Sequence, residues 1–65
     1  MRHGVRIGVD VGSVRVGVAR SDPAGTLALP IATLKRGETD ITEICHLAAE
    51  YEAIEILVGL PLGLS

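Results

Sequence analysis

Two strictly alternating runs separated by two small residues constrain this chain more than any other feature. From Val5 to Val11 the apolar Val5, Ile7, Val9 and Val11 take every second position, with Arg6, Gly8 and Asp10 between them, and Val14 to Ser21 repeats the alternation. A period of two marks a half-buried strand. Gly12-Ser13 between the runs predicts a hairpin, because Gly at the first central position suits the primed turns that match strand twist. A two-residue loop opposes Val11 to Val14, Asp10 to Arg15, Val9 to Val16, Gly8 to Gly17 and Ile7 to Val18, and all the β-branched residues then share one face. A three-residue loop mixes the faces, so the shorter one is expected.

Beyond the hairpin, Asp22-Pro23-Ala24-Gly25 reads as a turn, and Thr26 to Leu29 as a short third strand that Pro30 confines to an edge. After a loop at Lys35-Arg36-Gly37, a helix is expected from Thr39 or Asp40 to Glu52, with either residue able to cap it. Ile41, Ile44, Cys45 and Ala48 recur at i, i+3, i+4 and i+7, which predicts one buried stripe with Cys45 in the core. Ile54 to Val58 is an apolar strand that runs into a loop at Gly59-Leu60-Pro61-Leu62-Gly63. Strand, helix and strand imply a crossover that lays the last strand parallel to an earlier one. The class is therefore α/β, an antiparallel three-stranded meander, one helix and a fourth strand parallel to the first, in the order 3-2-1-4.

Sixty-five residues make at most one domain, and a chain of this length buries only about 60% of the surface it exposes when unfolded. Tyr51 is the only aromatic residue, which argues against a stacking surface for unpaired bases. Six Lys and Arg against eight Asp and Glu give a formal charge of −2, so composition alone does not announce a polyanion. The basic residues nevertheless gather early, at Arg2, Arg6, Arg15 and Arg20, while Glu43, Glu50, Glu52 and Glu55 crowd the last third. Cys45 is alone, which excludes an internal disulfide and fits a reducing compartment. The start lacks the cleavage region of a signal peptide and no apolar run reaches the length of a membrane span, so a cytoplasmic protein without a membrane partner is expected.

The chemistry turns on Asp10, a carboxylate at the end of a central strand with Gly8, Gly12 and Gly17 around it. Glycines clear the space that a phosphate backbone and hydrated metal ions need in order to approach a sheet. The other reading is that Asp10 supports the hairpin turn or pairs across the strands with Arg15, and on pattern alone that reading leads, since Asp near Gly at a turn is common. One Asp holds Mg²⁺ poorly, so a metal site here needs further acidic oxygens. His3 and His46 are too isolated to supply them. Glu55 stands at the wrong end of its strand for a catalytic part, and Asp22 opens the Asp-Pro turn, where capping is its expected role.

The run from Asp10 to Asp22, DVGSVRVGVARSD, resembles the first signature of the YqgF-type Holliday-junction resolvases, also described as ribosomal RNA maturation nucleases. Its pattern, D-x-G-x-x-R-x-G-x-A-x-S-D, is matched at Asp10, Gly12, Arg15, Gly17, Ala19, Ser21 and Asp22. Downstream, LALPIATLKRG resembles the segment that follows in that family and VGLPLGLS its V-G-L-P-L motif, so the matches fall in order along nearly the whole chain.

The resemblance implies a ribonuclease-H-like fold of which the order 3-2-1-4 is the first portion, residues 1–65 being the amino-terminal part of a single domain with no second one. It implies that Asp10 is catalytic and the first acidic ligand of Mg²⁺ or Mn²⁺, and that Gly12 permits close approach of the substrate backbone. Arg15 then contacts phosphate, with a structural pair to Asp10 or the loop backbone equally open. The activity implied for the full-length protein is metal-dependent hydrolysis of phosphodiesters in branched DNA or precursor ribosomal RNA. Further acidic ligands of the family lie on a fifth strand and a late helix, so the 65 residues alone are expected to be inactive. Two other readings remain. One is the phosphate-binding hairpin of an actin- or sugar-kinase-like ATPase, although those hairpins usually place Thr, Ser or Asn where Arg15 stands. The other is a non-enzymatic assembly module. On any of these readings the apolar last strand, IEILV, offers an unpaired edge, so the chain is expected to associate as a homo-oligomer.

Overall fold

The alternation folds as one face of a sheet. Ile7, Val9, Val16 and Val18 are the buried side chains of the core, each contributing about 1.5–3 kcal/mol by leaving water. In a computed structural model, which describes residues 3–59, the elements are β1 (Arg6–Val11), β2 (Arg15–Ser21), β3 (Ala28–Lys35), α1 (Asp40–Glu50) and β4 (Glu55–Gly59). They form one sheet in the order β3-β2-β1-β4. The first three strands are antiparallel, and β4 lies parallel to β1. This is the α/β arrangement expected of a partial ribonuclease-H-like fold. Arg2, and the loop and motif residues from Leu60 onward, lie outside the described residues.

The hairpin register differs from the expected one by two residues. Val9 opposes Val18, Asp10 opposes Gly17 and Val11 opposes Val16, so Asp10 does not face Arg15. The cause is a longer loop. Gly12 N–H donates to the Arg15 carbonyl at 2.9 Å, and the Val14 carbonyl is taken by the Arg36 N–H at 2.9 Å, which draws Val14 out of the ladder. Side chains alternate with a period of two, so a slip of two leaves every residue on its expected face.

The third strand is also longer than its composition suggests. It continues through Pro30 to Lys35, with a bulge where Val18 pairs with Ala32 and Ala19 with Pro30. Pro30 is tolerated because β3 is an edge strand and the bulge interrupts the ladder there.

Helix α1 ends two residues earlier than expected, and its buried stripe is rotated. Ile44, Leu47, Ala48 and Tyr51 pack against the core, whereas Ile41 is 72% exposed and Cys45 is exposed. Both stripes satisfy the same spacing, and the observed one buries Leu47 and Tyr51, which carry more carbon than the pair it leaves out. Thr39 holds the cap position without a side-chain cap bond. Asp40 instead accepts from the Ile41 N–H at 2.8 Å. Past the end of the helix, Glu52 has a φ of 52°, which lets Ala53 N–H reach back to the Ala48 carbonyl at 2.8 Å.

Candidate nucleic-acid site on the helix-free face

Helix α1 covers one face of the sheet, the face of Val9, Val16 and Val18. Asp10 belongs to the other. In one row across the four strands stand Gly59, Asp10, Gly17 and Thr33. A methyl group added at Gly17 would stand 3.8 Å from the Asp10 Cβ, and one added at Gly8 or Gly59 would meet nothing within 4 Å. The surroundings of the carboxylate are thus open on three sides, as the pattern of glycines suggests.

The carboxylate itself has no part in the turn. Asp10 Oδ1 is buried without a hydrogen-bond partner among the described residues, and no ion pair joins Asp10 to Arg15. The turn is closed by backbone, Gly12 N–H to Arg15 carbonyl. Gly12 is required there for a steric reason, since a Cβ would stand 2.8 Å from that carbonyl oxygen. The Gly12 carbonyl is occupied too, accepting from Arg36 Nη1 at 2.8 Å. Both of Gly12's backbone groups therefore serve the loop beside Asp10.

Arg36 was not legible as part of this end of the molecule, because it reaches the hairpin loop through main-chain carbonyls, which leave no trace in a sequence pattern. It holds the hairpin loop through Gly12 and Val14 and reaches Asp40 with Nε at 3.7 Å. Arg15, by contrast, is exposed, and its side chain makes no bond to the described residues. Lys35, its cross-strand neighbour, is exposed as well.

The remaining candidates are structural. Both oxygens of Asp22 are occupied by its own turn: Oδ1 accepts from the Thr26 N–H at 2.7 Å and the Leu27 N–H at 3.0 Å, and Oδ2 from the Thr26 hydroxyl at 2.7 Å. The Leu27 bond foremost, then those from Thr26, hold its pKa below the usual carboxylate value. Ser21 Oγ accepts from the Arg6 N–H at 2.9 Å. Glu55 pairs with Arg6 at 2.7 Å, at the start of β4 and away from Asp10. A cleft of about 680 Å³ lies beside Val9, Val16, Ile41 and Val58. It lies on the helix face, so Asp10 does not line it.

Comparison with known proteins matches residues 4–65 to the family described as RuvX, Holliday junction resolvase. The chain belongs to this family. Among curated relatives of this RuvX-family chain is a protein of Thermobifida fusca (strain YX), 55% identical over 65 residues, covering 100% of this chain and 41% of the relative. A protein of Frankia casuarinae is 57% identical over 64 residues, 94% of this chain and 32% of the relative. A third, of a Nocardioides species, is 50% identical over 70 residues, 100% and 45%. Each bears the name "Putative pre-16S rRNA nuclease". The chain spans less than half the length of these relatives.

A RuvX-family site built around a divalent ion fits these residues in part. A buried carboxylate oxygen lacking a donor is a hard ligand of the kind Mg²⁺ takes. Among the described residues there is no group of three or more His, Cys, Asp and Glu side chains that could hold a metal. Asp10 alone does not make a metal site among the described residues. No helix among the described residues is long and apolar enough to cross a membrane.

Proposed function

We propose that the full-length protein hydrolyses phosphodiester bonds in nucleic acid, that residues 1–65 are the amino-terminal part of its single ribonuclease-H-like domain, and that Asp10 is its first catalytic carboxylate. The observation that carries this reading is the buried, unpartnered Asp10 Oδ1 in a row otherwise made of Gly59, Gly17 and Thr33. A carboxylate oxygen left without a donor in a protein interior is costly, so it persists where a ligand completes it. Asp10 would hold Mg²⁺ or Mn²⁺. Such an ion, when bound, stabilises charge on the phosphate and activates water for attack.

The chain's own residues do the rest. Gly8, Gly17 and Gly59 leave the sheet bare enough for a sugar-phosphate backbone to lie against it. Gly12 keeps the turn tight beside Asp10, so that no side chain stands between the carboxylate and the substrate. Arg15 meets phosphate from the same face with a guanidinium fork. The family description names Holliday junctions and the relatives' name points to pre-16S rRNA; both substrates present the same phosphodiester to these residues. Replacing Asp10 by Asn in the full-length protein removes the charge and keeps the volume. Cleavage of a four-way DNA junction and of a pre-16S rRNA leader, measured at equal Mg²⁺, is expected to vanish with the melting curve unchanged. Near-normal turnover would return Asp10 to a supporting role.

The 65 residues by themselves are proposed to be inactive, because one carboxylate does not make a divalent-ion site, and to self-associate through β4. Ile56, Leu57 and Val58 on that edge strand are 39, 53 and 69% exposed, and an apolar unpaired edge templates pairing. Sedimentation of the isolated chain at micromolar concentration checks this, a stable monomer being the contrary result.

A further inference from the structure

Arg15 and Lys35 stand directly opposite one another across β2 and β3. Each is two residues along its strand from the Gly17 and Thr33 pair, so both lie on the Asp10 face. Like charges opposed across antiparallel strands destabilise a sheet. Here the repulsion is uncompensated: among the described residues neither side chain makes an ion pair or a hydrogen bond, and both are exposed. Arg36, a few residues away, makes the contrast plain, because its guanidinium is engaged with Gly12 and Asp40.

We propose that Arg15 and Lys35 together form a phosphate seat for the nucleic-acid strand, next to the phosphate that lies at Asp10. The inference rests on the nuclease reading and extends it by a second contact, Lys35, and by a direction. Two residues along a strand advance about 6.6 Å, a step comparable to that between neighbouring phosphates of a polynucleotide. The substrate backbone thus runs obliquely over the helix-free face, from Asp10 on β1 toward the Arg15 and Lys35 end of β2 and β3. Arg15 supplies a planar fork and Lys35 a mobile point charge. Neither reads bases, so the seat adds affinity and register without sequence preference.

The test uses the full-length protein carrying Asp10→Asn, so that binding is measured without cleavage, on a four-way DNA junction and on an RNA hairpin across a range of salt. Lys35→Ala and Arg15→Ala are each expected to weaken binding and to reduce the slope of log K against log salt by roughly 0.9 on duplex DNA, and the double variant by roughly 1.8. Lys35→Arg keeps the slope. Arg20→Gln, the same loss of charge on the other face, leaves it unchanged. A normal slope in Lys35→Ala, or an equal reduction in Arg20→Gln, overturns the seat. The two readings fail separately, since a wild-type protein that cleaves neither substrate would sink the nuclease reading whatever the slopes are.

Discussion

At one end of the sheet Ser21, Asp22, Arg6 and Glu55 are all tied to neighbours, and at the other Asp10, Arg15 and Lys35 carry charge with no partner among the described residues. Both ends draw on the same signature, so residue type alone does not separate them. What separates them is the count of donors around each acid. Asp22 has its oxygens filled by the turn it opens, and its chemistry ends there. Asp10 has a buried oxygen that the described residues leave unsatisfied, which leaves room for a ligand.

Exchanging the two acids breaks or sharpens that contrast most directly. In the full-length protein Asp10→Ala is expected to abolish cleavage without lowering Tm, since it removes a buried group that has no internal partner, whereas Asp22→Ala lowers Tm and leaves cleavage in place. Cleavage assays and melting curves on the two variants decide it, and a fall in Tm for Asp10→Ala would mean that the carboxylate is bonded in solution. Arg36→Ala comes next. It frees the Gly12 carbonyl at a cost of about 1 kcal/mol in stability, and by loosening the loop beside Asp10 it slows cleavage; denaturant unfolding and single-turnover rates measure the two effects.

Acid titration separates the ends in another way. Because the folded state holds the Asp22 pKa below the ordinary aspartate value of 3.8, the stability it contributes is complete above that value and is lost as pH falls through the lower, folded pKa. Wild type is therefore expected to lose Tm below about pH 4 more steeply than Asp22→Asn, and parallel curves would show that the turn's bonds do not favour the ionised form. The smallest effect belongs to Glu55→Gln, which removes a partly exposed ion pair with Arg6 and costs under about 1 kcal/mol. A larger loss in urea unfolding would show that this pair holds β4 to β1.

The hairpin faces, the strand order and the turn role of Asp22 were legible because each rests on local chemistry: alternation, a crossover, an Asp before Pro. The register was not, since a slip by two residues keeps every side chain on its face and so leaves the pattern untouched. The helix stripe failed for a related reason. Ile41, Ile44, Cys45 and Ala48 and the observed Ile44, Leu47, Ala48 and Tyr51 fit one spacing equally, and packing against the core chose between them. Pro30 looked like the end of a strand, which a bulge allowed to continue. Arg36 left no signal because it binds carbonyls. Asp10 could be singled out as a candidate from its glycines, but that its Oδ1 takes no part in the turn is visible only in the structure.

Tyr51 sits at the end of α1, half-buried against the core, with the Arg20 guanidinium 5.4 Å from its ring centre. It is the sole aromatic chromophore of these 65 residues. Near-ultraviolet dichroism and tyrosine emission of the isolated chain consequently report a single event, the seating of the helix on the sheet, free of interference from any other ring. The same optical signal is blind to the opposite face, where Asp10 lies, so a ligand arriving there would have to be followed by other means.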